Sequence, residues 1–253
     1  MIEIKNIEKS FGGNKILKGI STVFETGKTN LIIGQSGSGK TVLLKSLLGI
    51  HTPESGQICF DGRVYSELED VEKRELRTEI GMVFQGSALF DSMTVAENVA
   101  FPLKMFTKDN RAKIKERVDF VLERVALVNA HDKLPSEISG GMQKRVAIAR
   151  AIVNKPKYLF CDEPNSGLDP NTATLIDNLI KEITEEYDIT TVINTHDMNS
   201  VMEIGDNILF LKNGVKAWQG NKEEIFRTDN QDVVEFVYSS NLFRKVREAY
   251  LKE

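Results

Sequence analysis

The sequence predicts an α/β fold built on a largely parallel, doubly wound sheet. Short candidate strands, such as residues 29–33 and the largely β-branched residues 189–194, alternate along the chain with segments whose apolar residues recur at helical spacing. In addition, a glycine-rich loop joins one apolar run directly to a leucine-rich segment, which is the strand–loop–helix order of α/β proteins. With 253 residues, the chain is long enough for one large α/β unit or two small domains.

The predicted strands are of two kinds, half-buried and fully buried. Residues 2–7 alternate between apolar and polar side chains, and a second strand is expected from about residue 16 to residue 24. Residues 56–62 end in an Asp-Gly pair, which indicates a tight turn. The other predicted strands lie at residues 29–33, 80–84, 158–161, 189–194 and 208–211.

Helical periodicity predicts helices after residue 40, from residue 141 to about 153, and from residue 172 to 187. Residues 94–128 are helical in pattern and form a predicted helical insertion. Its apolar face comprises Ile114, Val118, Val121, Leu122 and Val125. A last amphipathic helix is expected from residue 232 to 250. Its apolar side carries Val233, Phe236, Val237, Phe243, Val246 and Tyr250.

Composition excludes several classes of protein. Because 41% of the residues are hydrophobic, a fibrous or disordered chain is excluded. The net charge of −4 provides no global basic field, which argues against wholesale nucleic-acid binding but leaves a local basic patch open. The apolar stretch 42–50 is far shorter than the about 20 residues of a spanning helix, so we expect a cytosolic chain without membrane insertion. Cys59 and Cys161 lie in apolar runs, which favours buried thiols over a disulfide or zinc site.

A phosphate-binding loop is predicted between the strand at residues 29–33 and the helix that follows. Its glycines allow backbone N–H groups to point inward at an anion, and the helix directs its positive end to the same place. Lys40 is expected to reach the β- and γ-phosphates and Thr41 to ligate Mg²⁺. The alternative is a flexible loop without a ligand. The motif comprises Gly34, Gln35, Ser36, Gly37, Ser38, Gly39, Lys40 and Thr41.

Two adjacent carboxylates, Asp162 and Glu163, follow the predicted strand 158–161. Because the backbone turns at the end of a strand, both side chains can face one pocket. Asp162 suits Mg²⁺ coordination, and Glu163 suits a base that polarises an attacking water. An acidic pair at a strand end is often an ordinary turn, and it is the phosphate loop that favours the functional interpretation.

A third motif lies between these two, and it makes the resemblance specific. Residues 138–145, Ile-Ser-Gly-Gly-Met-Gln-Lys-Arg, resemble the signature of ATP-binding-cassette (ABC) ATPases. Ser139, Gly140 and Gly141 would form an anion site at a helix N-terminus, although a simple Ser cap with flexible glycines is the alternative. The resemblance implies that the signature of one subunit completes the phosphate site of the other, in an ATP-dependent head-to-tail homodimer.

The resemblance also implies the fold and its domains. It predicts a P-loop NTPase of the ABC type, with a RecA-like core, an antiparallel β subdomain and a helical signature subdomain. The ATPase domain would span residues 1–228, with the helical subdomain inserted at about 90–155. Residues 229–253 would form a C-terminal helical tail.

Further site residues are implied by the order of the family's motifs. Gln85 matches the glutamine that senses Mg²⁺ and the attacking water, and His196 matches the switch histidine that contacts the γ-phosphate. Asp169, in Ser-Gly-Leu-Asp, matches the loop that crosses the dimer interface. Phe11 matches the aromatic residue that stacks on adenine; taken alone, it would be a core residue at a strand end.

A single cassette without spanning helices requires membrane permease subunits on separate polypeptides. Residues 86–103 and the helical insertion would form the groove that receives them. Gly86 and the residues after it replace the His or Gln typical of amino-acid importers, and Met142 replaces the usual signature glutamine. These features resemble the ATPases of Mla-type phospholipid transporters, which work with Mce-domain proteins.

This resemblance implies a location at the cytoplasmic face of the inner membrane. Two alternatives stay open. One is the ATPase of a small-solute importer, such as an amino-acid importer. The other is a soluble, non-transport ABC ATPase that acts on ribosomes or nucleic acid.

Overall fold

The computed structural model describes residues 1–238. These residues form two compact units. Unit 1 comprises Met1–Leu68 and the chain from Val192 onward, and unit 2 comprises Glu69–Thr191. The chain therefore passes into unit 2 after the strands of the four-stranded sheet, and it returns to unit 1 within a strand.

The strands, in chain order, are β1 (Ile2–Phe11), β2 (Asn14–Phe24), β3 (Thr29–Ile33), β4 (Ser55–Phe60), β5 (Arg63–Val64), β6 (Ile80–Val83), β7 (Tyr158–Asp162), β8 (Thr190–Asn194), β9 (Asn207–Lys212) and β10 (Val215–Gly220). The helices are α1 (Lys40–Leu47), α2 (Asp70–Thr78), α3 (Val95–Phe106), α4 (Arg111–Arg124), α5 (Gly140–Ile152), α6 (Pro170–Glu186), α7 (Met198–Ile204), α8 (Glu224–Arg227) and α9 (Gln231–Val237). Within residues 1–238, every helix falls short of the length and apolarity needed to cross a lipid bilayer.

Unit 1 contains an antiparallel sheet with the strand order β2-β1-β4-β5. The alternation predicted for residues 2–7 is present, since Ile2, Ile4 and Ile7 are buried, and the strand continues to Phe11. Asp61 and Gly62 both have positive φ and connect β4 to β5, as the Asp-Gly turn predicts. The same unit contains β3, which pairs parallel to β9, and β10, which pairs antiparallel to β9.

Unit 2 contains the parallel pair β6 and β7 and a group of helices. The predicted helical insertion is two helices rather than one continuous segment. Residues 107–110 separate them, because Thr107 ends α3 and the Asn110 side chain caps α4 by accepting from Lys113 N. Val118, Val121 and Leu122 on α4 are buried as predicted, and both α3 and α4 pack against α5.

The start of α3 is fixed by a buried amide. Asn98 is fully buried, and its Nδ2 lies 3.1 Å from the Phe90 carbonyl and 3.0 Å from those of Met93 and Thr94. Its Oδ1 accepts the Phe90 N–H at 2.8 Å. Because these four bonds connect one buried side chain to the backbone of Phe90, Met93 and Thr94, Asn98 holds residues 90–94 in one conformation.

The C-terminal segment packs in unit 1 through α9. Val233 and Val237 are buried, and the ring of Phe236 stacks on Phe210 with centroids 5.1 Å apart. The rest of the predicted helix, including Phe243, Val246 and Tyr250, lies outside the described residues.

The two cysteines are buried free thiols, as the sequence predicts. Burial raises the pKa of both Cys59 and Cys161.

Candidate functional site

The glycine-rich loop at residues 34–39 connects β3 to α1 in unit 1. Gly34 has a φ of +150°, and a Cβ there would lie 2.3 Å from the Leu211 carbonyl oxygen. Only glycine therefore allows the loop to start so close to β9. The loop closes through a hydrogen bond from Ser38 N to the Gln35 carbonyl at 3.1 Å, and Gly39 immediately precedes α1.

The ammonium group of Lys40 lies over this loop. Its side chain is 8% exposed, and Nζ donates to the carbonyls of Gly34 at 2.8 Å and Gln35 at 3.1 Å. The Ser38 hydroxyl is buried and has no hydrogen-bond partner among residues 1–238. A loop with a buried cation and an unpaired buried hydroxyl fits an anionic, oxygen-rich ligand. Thr41 is exposed in the first turn of α1.

A hairpin turn is hydrogen-bonded to the loop. The Gly214 N–H, between β9 and β10, donates to the Ser38 carbonyl at 3.1 Å. The Gly214 carbonyl in turn accepts the N–H of Lys18 in β2 at 2.8 Å. The loop is therefore connected by backbone hydrogen bonds to both sheets that unit 1 contributes.

His196 follows β8 in the same unit. The Thr195 N–H donates to the Ile32 carbonyl at 3.1 Å, which places residues 195–197 beside the end of β3, where the loop begins. The His196 side chain is exposed, and Asp197 caps α7 immediately after it. The structure thus brings two predicted site segments to neighbouring strand ends, where ligands bind in α/β folds.

Phe11 ends β1 and is 43% exposed, so it is not a core residue. Its ring makes an edge contact with His51, with centroids 5.1 Å apart, and Lys9 Nζ lies 5.2 Å from the ring centroid. An exposed aromatic face held by two neighbours is suited to stacking on a planar ligand.

In unit 2, Gln85 and Glu163 meet at the ends of neighbouring strands. Gln85 Nε2 donates to Glu163 Oε2 at 3.1 Å and lies 3.5 Å from Ser166 Oγ. Asp162 ends β7, and Glu163 has a φ of +46°, so the chain leaves the strand in a left-handed conformation. Such a conformation costs about 1 kcal/mol or more in a non-glycine residue.

Asp169 ends the loop that follows Glu163 and caps α6. Its side chain accepts the Thr172 N–H at 3.1 Å. This contact with Thr172 holds the pKa of the Asp169 carboxyl below its usual value.

The signature residues start α5. Ser139 caps the helix by accepting the Met142 N–H at 3.3 Å, as the simple cap interpretation predicts, and both Ser139 and Gly140 are exposed. A Cβ at Gly141 would lie 2.8 Å from Thr172 Cγ2. The structure therefore brings the N-termini of α5 and α6 together, and Gly141 is the residue that permits this approach.

Lys144 was not predicted as a site residue. It is 5% exposed, and its Nζ donates a hydrogen bond to the backbone carbonyl of Gln85. Burial lowers the pKa of this lysine, while the groups of Cys161 and Glu163 partly oppose the shift. The available signal was a lysine on the same helical face as the apolar residues 147, 148 and 151.

An apolar groove lies beside this site in unit 2. It encloses about 290 Å³ between residues of β6, the segment after it, and α3. Met105 is 61% exposed, Phe106 50% and Phe84 42%. Aromatic and methionine side chains exposed together mark a surface that binds another apolar element.

No group of three or more His, Cys, Asp or Glu residues within the described chain is arranged to hold a metal ion. The hydroxyl of Thr41 in unit 1 and, separately, the side-chain oxygens of Gln85 and Asp162 in unit 2 are donors of the type that Mg²⁺ prefers, and Mg²⁺ sites commonly use few protein ligands together with phosphate oxygens. The donors within each unit are therefore of a kind that fits Mg²⁺ together with phosphate.

Comparison with known proteins identifies the family. Residues 17–166 match the ABC transporter family model. The chain is 39% identical over 236 residues to the probable ribonucleotide transport ATP-binding protein mkl of Mycobacterium leprae, covering 93% of this chain and 68% of that protein. It is 40% identical over 226 residues to the methionine import ATP-binding protein MetN of Clostridium tetani, covering 89% of this chain and 71% of that protein. The chain thus spans about two thirds of the length of these curated relatives.

A solved structure agrees in fold. The ATP-binding cassette MJ0796, as a dimer in a post-hydrolysis state bound to ADP and Pi, superposes with a TM-score of 0.79 at 31% identity, covering 88% of this chain and 99% of that one. An α/β cassette with an antiparallel sheet and a helical subdomain is therefore confirmed. The chain belongs to the ABC transporter family and carries its ATP-binding ATPase domain.

Proposed function

We propose that this chain hydrolyses ATP to drive transport through separate membrane permease subunits. The hydrogen bond between Gln85 and Glu163 carries the proposal, because it places an amide donor on the carboxylate best suited to accept a proton from water. Backbone N–H groups of residues 34–39 and the Lys40 ammonium bind the phosphates, and Phe11 stacks on adenine. Gln85 orients the attacking water, and His196 contacts the γ-phosphate.

Thr41, Gln85 and Asp162 are the residues we propose to hold Mg²⁺. When bound, the ion neutralises charge on the phosphate oxygens.

The active form in this proposal is a head-to-tail homodimer. Ser139, Gly140 and Gly141 present a capped helix N-terminus to solvent, and Asp169 lies exposed at the adjacent helix start. One subunit's signature would bind the γ-phosphate held by the partner's loop. The dimeric state of the MJ0796 cassette supports this arrangement.

The apolar groove is the proposed receptor for the permease. Its exposed Met105 and Phe106 offer a surface for an apolar segment of a membrane subunit. The groove is lined by Phe84 and Ala88, which lie on either side of Gln85 in the sequence, so the permease would contact the chain next to a proposed catalytic side chain. Bound to such a permease, the ATPase would lie at the cytoplasmic face of the inner membrane.

Met105→Glu is expected to prevent co-purification of the chain with its permease and to leave ATP-dependent thermal stabilisation unchanged. A buried, unpaired carboxylate in the groove would cost several kcal/mol of binding. Val128→Glu is the matched control, because Val128 is 58% exposed and lies outside the groove. Equal retention of the permease by both variants would contradict the role of the groove.

The transported substrate is proposed to be a phospholipid, in a complex of the Mla type with an Mce-domain protein. Gly86 and the residues after it, together with Met142, support this choice. The second candidate is an amino-acid importer, which the resemblance to the MetN relative favours. In either case residues 1–228 would form the ATPase domain and residues 229–253 a C-terminal tail.

Purification of the intact complex from membranes distinguishes the two substrates. We expect a permease and a lipid-binding Mce-type subunit, with phospholipid detected by mass spectrometry. A periplasmic solute-binding protein in the same complex would exclude the lipid assignment and support the amino-acid importer.

A further inference from the structure

A buried lysine connects the signature helix to the segment that carries Gln85. Lys144 lies in the second turn of α5, five residues after Ser139, and its Nζ donates to the Gln85 carbonyl. Since only 5% of Lys144 is exposed, the ammonium group has little access to solvent. A buried cation needs partners of this kind, and removing the partner or the cation changes the local structure.

The side chain of Gln85 continues this line of contacts. Its Nε2 donates to Glu163 Oε2 at 3.1 Å and lies 3.5 Å from Ser166 Oγ. Lys144 therefore holds the backbone of Gln85, while the side chain of Gln85 holds the carboxylate of Glu163. All four residues lie in unit 2.

The backbone after Gln85 has two residues in the left-handed region. Ser87 has a φ of +61° and Ala88 a φ of +47°, which are unfavourable for residues with a Cβ. Arg150, on the same helix α5, donates to the carbonyls of Ser87 and Ala88, each at 2.8 Å. Lys144 and Arg150 of one helix thus donate hydrogen bonds to three backbone carbonyls within residues 85–88. Of these two side chains, only Lys144 bonds to the carbonyl of a proposed catalytic residue.

We propose that Lys144 is a positioning residue for ATP hydrolysis, which fixes the Gln85 backbone so that its amide is aligned on Glu163. The proposal rests on the roles given to Gln85 and Glu163 in the proposed function. Lys144 itself touches neither nucleotide nor water in this scheme. Its effect on turnover passes through Gln85.

A double-mutant cycle tests this route. Lys144→Met is expected to lower kcat for ATP hydrolysis by about tenfold to a hundredfold, as misplacement of a catalytic group by about 1 Å does. The KM for ATP should change by less than about threefold, because the phosphate loop is untouched. In the Gln85→Ala background, Lys144→Met should have no further effect, since the residue it positions is absent. The conservative Lys144→Arg variant should recover part of the lost kcat.

Folding is monitored by the ATP-dependent rise in melting temperature of each variant. Lys144→Gln, which keeps an N–H donor, enters the same cycle, so the result does not depend on the Met variant being stable. Lys113→Met is the control for loss of a positive charge, because Lys113 is exposed on α4. It should retain full activity.

Three outcomes would overturn the proposal. An unchanged kcat in Lys144→Met and Lys144→Gln would show that the contact is not needed. Losses that multiply in the double variant would show that Lys144 acts independently of Gln85. If Gln85→Ala alone left kcat unchanged, the role of Gln85 in the proposed function would fail, and the positioning role would fail with it.

Discussion

Glu163→Gln is expected to abolish most ATP turnover while ATP binding is retained. General-base catalysis contributes about 10²–10⁴-fold to such reactions, and an amide cannot accept the proton of the attacking water. The substitution preserves size and keeps an acceptor oxygen for the amide of Gln85. The loop that begins in a left-handed conformation at residue 163 should therefore persist.

Steady-state phosphate release measures the loss, and gel filtration with ATP measures the assembly state. Because hydrolysis is the step that reopens the proposed dimer, the variant should accumulate as a closed dimer with ATP. Glu185→Gln, an exposed glutamate on α6, is the matched control and should behave as wild type. Hydrolysis at the wild-type rate in Glu163→Gln would remove Glu163 from the role of base.

Lys40→Ala is expected to eliminate nucleotide binding. The ammonium group lies over the loop at 2.8 Å from the Gly34 carbonyl, and it is the buried cation that would meet the phosphates. ATP at a hundredfold excess over its Kd should stabilise the wild-type chain by about 2.7 kcal/mol. In the variant this stabilisation should vanish.

The measurement is the difference in melting temperature with and without ATP, because Lys40→Ala also removes two internal hydrogen bonds and so lowers the melting temperature of the free chain. Lys45→Ala is the control, since Lys45 lies on the same helix and is exposed. A full ATP-dependent shift in Lys40→Ala would contradict the assignment of the loop as the phosphate site.

Elements defined by local pattern were predictable from the sequence. The bounds of β3 match the predicted strand 29–33, because its apolar residues 31–33 are contiguous and the glycine loop follows at once. The cap of α5 was predictable from Ser139, because capping is a local interaction between residues three apart.

Elements formed mainly by tertiary pairing were not predicted. Strand β10 has a mostly polar sequence and exists because it pairs with β9, although the Asn213-Gly214 turn was an available hairpin signal. Helix α2 buries only Leu76 and shows no apolar stripe.

The same distinction applies to the site. The residues of the glycine loop are contiguous in the sequence, so the motif can be recognised directly. The contact of Lys144 with Gln85 joins residues 59 positions apart. The sequence contains no motif or spacing that predicts such a pair, because only the packing of α5 beside the end of β6 brings the two residues together.

The burial of the two native thiols has a practical consequence for labelling experiments. Cys59 is 7% exposed and Cys161 0% exposed. Since the thiolate is the nucleophile that reacts with thiol reagents, burial and raised pKa values make both native cysteines poor targets. A single cysteine introduced at exposed Val128, which lies outside the groove, would then carry a fluorophore or cross-linker selectively, in the otherwise natural sequence. The proposed dimer closure and permease docking could then be followed through this label without first removing a native side chain from the core.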